Sequence, residues 1–354
     1  MRSILLLLLS ALAHFPVKAQ DTLKVRKVKV LPVPAFGYAP ETRYYVGAVS
    51  LFTMDFYNRP DTRKSTGKVE FNYTWNRQVI LEGELNYFFR EEKWFTSSSA
   101  HYSKYPDQYF GIGAATSDSN RVLFQSNRLK LDATLCRQIG NKLFLGGGAR
   151  YVNYTHIAAL SEHAAAYPEL VNSANAELKF LLFKDTRNNL LTPVHGEFYE
   201  LISGINYTGN QLYLRIVGDA RKYYSFGKNK SHVLAGRAFH TSVIGNAPFY
   251  DLAILGGDRI ARGYFYGRFR DDHLSTLQVE YRTPYLWRLG LAGFGGVSVL
   301  YGPRTAFDGT NLKPNAGIGL RFLVDKTDRT NLRFDYAVGA NGQSGFYVSF
   351  GESF

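Results

Sequence analysis

The chain has 354 residues, with 42 Lys and Arg against 29 Asp and Glu for a net charge of +13, and it contains 45% hydrophobic residues, 33 Gly and one Cys. That apolar content excludes a disordered chain, and a single thiol excludes both a disulfide scaffold and a cysteine-based zinc site. Aromatics at 15% beside so much glycine favour strands over helices.

The N-terminus reads as a processing signal. Met1 and Arg2 precede an apolar run from Ile4 to Leu9, and Val17-Lys18-Ala19 offers a small-residue exit before Gln20. A short charged start, a short apolar middle and a small-residue end describe a cleavable secretory signal over residues 1–19. No Cys stands at the cleavage point, so a lipoprotein is not expected. No later run approaches the roughly 18 apolar residues of a spanning helix. Residues 20–42 carry Lys24, Arg26, Lys27 and Lys29 among valines, then Pro32, Pro34 and Pro40. They read as a short periplasmic lead-in without structure of its own, or as a tail that enters a lumen or adds to a strand edge.

From Arg43 the pattern has period two. Val69, Phe71, Tyr73 and Trp75 alternate with Glu70, Asn72 and Thr74; Leu129, Leu131, Ala133 and Leu135 alternate with Lys130, Asp132 and Thr134. Leu332, Phe334, Tyr336 and Val338 oppose Arg333 and Asp335. Successive strand side chains point to opposite faces, so each segment has one apolar and one polar face. The strands are long, with Tyr, Trp or Phe near their ends. An exported chain of this kind, without a spanning helix, satisfies its backbone groups in a membrane by closing a barrel, apolar outward and polar inward. The expected fold is all-β, a 16-stranded antiparallel transmembrane β-barrel over 43–354. Its strands are expected at 43–57, 66–76, 78–90, 93–104, 107–116, 121–138, 141–155, 174–184, 195–207, 210–226, 230–244, 272–285, 288–301, 315–325, 330–340 and 343–354. Short turns at Arg77-Gln78, Ile139-Gly140-Asn141 and Trp287-Arg288-Leu289 would face the periplasm, and the longer connections 157–173, 245–271 and 302–314 the exterior.

One connection is unusual. From Leu255 to His273 the chain reads LGGDRIARGYFYGRFRDDH, glycine-rich with four arginines, and the next strand reads LQVEYRTPYLW. The run Arg262-Gly263-Tyr264, between the eleventh and twelfth expected strands, resembles the sixth-loop signature of the outer-membrane protein 85 superfamily, the BamA/TamA-like or bacterial surface antigen barrels. Glu280-Tyr281-Arg282, the Gly317 to Phe322 strand and the Leu332 to Tyr336 strand extend the resemblance, and Asp185-Thr186-Arg187-Asn188-Asn189 with Pro193 and Gly196 matches a mid-barrel turn. The resemblance implies that the loop at 245–271 folds inward and that Arg262 meets acids on the inner wall, with Glu280 at the family's twelfth-strand position. The family's thirteenth-strand acid falls on Gly296, which leaves Asp335 as a substitute partner. Phe346, Val348, Phe350 and Phe354 resemble an outer-membrane assembly signal on one lipid-facing edge.

Other constellations are weaker. In Asp271-Asp272-His273 only Asp271 and His273 could share a strand face as an acid–base pair. Three Asn-Tyr-Thr runs at Asn72, Asn153 and Asn206 fit inward Asn and Thr around an outward Tyr better than glycosylation. No catalytic, cofactor or metal motif emerges. The basic charge fits outer-membrane lipids or lipopolysaccharide and a mixed-sign lumen, without nucleic acid. The resemblance implies an outer-membrane protein, lacking the POTRA domains usual before such barrels, that assists insertion or translocation of outer-membrane proteins or lipids as an accessory subunit or beside other assembly subunits. The alternative is a passive diffusion channel.

Overall fold

A computed structural model of the protein describes residues 27–39, 43–59, 61–75, 77–160, 167–303, 307–326 and 329–354. The signal assigned to residues 1–19 lies outside these described residues.

Sixteen strands form one antiparallel sheet in simple sequential order. They are β1 (Lys27–Ala39), β2 (Arg43–Asp55), β3 (Ser65–Thr74), β4 (Val79–Phe88), β5 (Trp94–Tyr109), β6 (Val122–Gly140), β7 (Leu143–Ala159), β8 (Ser173–Asp185), β9 (Gly196–Thr208), β10 (Gln211–Phe226) and β11 (His232–Gly245), followed by β14 (His273–Arg282), β15 (Leu289–Tyr301), β16 (Leu312–Asp325), β17 (Thr330–Gly339) and β18 (Ser344–Phe350). Between β11 and β14 a separate small hairpin pairs β12 (Ala253–Leu255) with β13 (Phe269–Asp271). The sheet is a 16-stranded β-barrel of the outer-membrane type, and its faces are inverted relative to a soluble protein. Leu178, Phe180 and Ile318 are 66–74% exposed, while Glu177, Lys179, Arg321 and Glu280 on the opposite face are buried. That is the arrangement expected when hydrocarbon surrounds the apolar face and ionic side chains pair across a lumen.

Two strand assignments change while the total of sixteen stands. The basic segment within 20–42, read as a lead-in, contributes β1, paired with β2 from Lys27↔Asp55 to Ala39↔Arg43. Pro32 and Pro34 are tolerated because β1 is an edge strand, where a missing N–H can point away from the ladder. The expected strands 93–104 and 107–116 are one continuous strand, β5, which passes through Pro106. Above the pair Val79↔Lys104 β4 has ended, so β5 has a paired strand only on its β6 side, and a residue lacking an N–H costs little there. Together these changes invert the placement of the Arg77-Gln78 turn. Counting along the antiparallel order, it joins β3 to β4 at the end that carries the 246–272 connection, opposite the Gly140 and Trp287 turns.

The first and last strands lie side by side, yet among the described residues no ladder joins β1 to β18. Lys29 pairs with Asp325 across this seam. A cavity of about 170 Å³ opens there, lined from one side by Leu31, Leu51 and Phe52 and from the other by Phe334, Val348 and Phe350.

Candidate functional site

The connection 246–272 folds into the lumen, and its sequence dictates how. Gly256 (φ 114°) and Gly257 (φ 87°) turn the chain in the left-handed region, and an added Cβ on Gly256 would lie 2.2 Å from the Phe265 carbonyl oxygen. The β12–β13 hairpin packs Ala253, Leu255 and Phe269 against Ala114, Leu274 and Leu300. Gly113 N–H donates to the Arg270 carbonyl at 2.7 Å. On one side Arg150 grips Asp251 with a two-pronged contact at 2.7 and 2.6 Å, with Tyr213 and Asn175 donating to the same carboxylate. Arg268 donates to the Thr116 carbonyl at 2.7 Å, and Arg237 to the Arg259 carbonyl at 2.9 Å.

At its tip the connection delivers Arg262 to the wall. The guanidinium is buried, donating to Glu280 on β14 at 2.7 Å and to Asp335 on β17, with the Phe294 ring centroid 3.3 Å away. A planar fork between two carboxylates suits arginine and no other cation. Around it the charges alternate. Arg321 reaches Asp335 at 2.6 Å and Glu352 at 2.8 Å; Arg282 reaches Glu280 at 2.7 Å; Arg333 bridges Asp335 at 3.1 Å and Asp258 at 2.9 Å. Four arginines thus face four carboxylates, and no member is buried without a counter-charge.

The residues after Arg262 are fitted to the backbone of the wall. Gly263 has φ 107°, and an added Cβ would sit 2.7 Å from the Val338 carbonyl carbon. Its N–H donates to the Tyr347 hydroxyl at 3.1 Å. The Tyr264 hydroxyl donates to the Pro314 carbonyl at 2.6 Å and accepts from the Ala340 N–H at 2.8 Å. Its ring lies against Gly339, where a Cβ would come within 2.6 Å of it. Burial works to raise the Asp258 carboxyl pKa, but the fields of Arg333, Arg259 and Arg262 outweigh it and hold it below the usual carboxylate range. Asp251 is likewise held low, where burial is overcome by the hydrogen bonds and charge of Arg150.

The match to a family model decides what kind of barrel this is: residues 49–354 match the Omp85 superfamily domain. The chain belongs to the Omp85 superfamily. Among solved structures this Omp85 barrel is similar to BamA from Haemophilus ducreyi lacking POTRA domains 1–3, at 12% identity over 93% of this chain and 70% of that one, with a TM-score of 0.59. It is also similar to CdiB from Acinetobacter baumannii, at 11% identity over 92% of this chain and 65% of that one, with a TM-score of 0.58. No curated protein matches it.

Within the Omp85 barrel the sequence-derived positions fall as follows. Arg262, Glu280 and Asp335 are brought into one cluster. Gly296 faces the lumen beside Gln278 and Asn315; an added Cβ would lie 2.6 Å from the Leu277 carbonyl oxygen, and Asn315 instead holds the Arg262 carbonyl at 2.9 Å. Asp271 and His273 do not act as a pair. Asp271 is buried in the small hairpin, whereas His273 bonds Ser242 at 2.9 Å on the outer face.

Two readings are corrected. The expected strand 343–354 ends at Phe350, so Phe354 does not share a lipid-facing edge with Phe346, Val348 and Phe350. Gly351 (φ 73°) turns the chain inward. Glu352 N–H donates to the Leu191 carbonyl, and Phe354 is buried against Tyr223 and Ala235, its carbonyl accepting from Arg282 at 3.1 Å. In the second Asn-Tyr-Thr run the parity is reversed. Tyr154 points inward and stacks on Tyr250 of the connection at 4.2 Å, unlike the outward Tyr73 and Tyr207. Sequence reasoning also missed Asp258 and Asp251, because acids in connections have no periodicity to reveal their side, and Glu352, because an unbroken strand 343–354 would turn it outward with Phe350.

Proposed function

We propose that this chain assists the insertion or translocation of outer-membrane proteins or lipids, working with separate partner subunits in the outer membrane after export on its cleavable signal. Membership of the Omp85 superfamily supports the general role, and one observation of this chain carries the reading: β1 and β18 meet at a seam with no ladder between them. Unpaired strand edges offer N–H and C=O groups that an incoming strand can pair with. The ionic cluster around Arg262 fixes β14, β16 and β17 to the inward connection, so opening is confined to the seam rather than shared around the wall. The chemistry is positional rather than catalytic, since every charged group in the cluster is engaged by its opposite.

Depleting the protein and comparing outer-membrane protein and lipid inventories tests this reading. Loss of a defined set of barrels or lipids is expected. Unchanged inventories with altered uptake of small solutes would instead assign a diffusion channel.

A further inference from the structure

The β3–β4 hairpin is shorter than its neighbours. It closes at Arg77 beside Lys104, while β5, β6 and β7 continue upward to Tyr109, Val122 and Ala159. Gln78 ties the turn to this taller wall by donating to the Pro106 carbonyl at 3.0 Å. The turn therefore stands at the foot of an exposed step on the outer surface of the barrel, at the end of the long connections.

A bulge adds a third basic group. The β6–β7 register shifts between Gln125↔Ala158 and Asn127↔Thr155, and His156 takes φ 55°. On β7, Val152 and Tyr154 face the lumen, so unbroken alternation would send His156 inward as well. The bulge turns it outward beside Asn127, at 3.3 Å. Arg77, Lys104, Gln125, Asn127, His156 and Leu160 line one hollow of about 400 Å³. Among the described residues neither Arg77 nor Lys104 has an acidic partner, in a protein whose lumenal arginines are nearly all paired. Directly below, two outward and exposed apolar pairs follow one another down the wall, Leu81 opposite Tyr102 and, two residues lower, Leu131 opposite Tyr151.

We propose that this hollow binds the phosphate of an outer-leaflet lipid, whose acyl chains lie along Leu81, Tyr102, Leu131 and Tyr151. Two unpaired cations and a histidine complement a phosphate dianion, and two amide side chains supply neutral donors. The transition from basic hollow to apolar wall matches an amphiphile with a charged head above and hydrocarbon below. A free phosphate would use only the upper half of this surface.

The test uses the full chain in detergent, titrated with diphosphoryl lipid A and read by native mass spectrometry. Binding is expected to weaken about tenfold or more in an Arg77→Gln/Lys104→Gln double variant, the loss of charge-assisted contacts to one phosphate. His156→Gln should weaken it less. The same glycolipid stripped of phosphate should bind wild type as weakly as the double variant binds the intact lipid. Lys222→Gln, a basic site on the outer face near the other end of β10, should leave affinity unchanged. Heat-modifiable migration of each variant shows that the barrel is folded. Equal affinity of wild type and double variant, equal binding of the dephosphorylated lipid, an equal loss in Lys222→Gln, or full displacement by inorganic phosphate would each overturn the proposal.

Discussion

The lumenal charges of β14–β17 and those of β3–β4 obey the same alternation but live in different surroundings. Around Arg262 the guanidinium and both carboxylates are at most 2% exposed, and each charge answers more than one partner. On β3 and β4, Lys68 serves Glu70, Glu82 and Glu84 with side chains 21–33% exposed to the water of the lumen. A buried network cannot lose one member cheaply, whereas a wet one can be rearranged by solvent. The strong network thus locks the inward connection to the C-terminal wall, and the weakly held charges sit beside the seam. The contrast locates rigidity and pliability on the two flanks of one seam, β14–β17 behind β18 and β3–β4 behind β1.

The largest effect should come from Arg262→Gln. It leaves Glu280 and Asp335 buried without their shared partner, at a cost of about 3–5 kcal/mol. A lower unfolding temperature in detergent, read by heat-modifiable migration, checks this, and Arg262→Lys should recover only part because ammonium cannot fork. Gly263→Ala comes next. Its φ of 107° and the contact with Val338 make any side chain strained, and a loss of about 1–3 kcal/mol is expected without loss of charge. Lys68→Gln should sit at the bottom of the scale, at about 1 kcal/mol or less. A cost as large as that of Arg262→Gln would erase the contrast between the two regions.

Acid sharpens the comparison. Asp251 and Asp258, on the inward connection, are held below the ordinary carboxylate range. Groups with lowered folded values contribute stability that is present in full above their unfolded values, near pH 4, and is lost as pH falls through the lower folded ones. Hydrogen exchange of residues 253–271, corrected for intrinsic rates, should stay slow from pH 7 to about pH 4 and accelerate only below that. Acceleration already at pH 6 would mean that other groups seat the connection.

Much of the barrel is written in alternation alone. The inward positions of Glu280, Arg321, Arg333 and Asp335 follow from counting by twos along strands whose other face is apolar, which is why the wall half of the cluster was legible. Proline obscured the rest. Pro32 and Pro34 hid an edge strand, and Pro106 broke one strand into two, because a residue without an N–H reads as a stop until its neighbours are known to leave that side unpaired. Bulges and turns hid more. His156 escapes simple parity through a local register shift, and Gly351 takes Phe354 off the strand. The grip of Arg150 on Asp251 joins residues 101 positions apart, and no local pattern announces such a contact.

The most direct measurement is a double-mutant cycle on unfolding free energy in detergent, with Arg262→Gln and Asp335→Asn alone and combined. Direct contact in a dry, shared network predicts that the combined loss falls short of the sum by about 2 kcal/mol. Losses that simply add would contradict a seated connection, and with it the division of the barrel into a locked wall and a free seam.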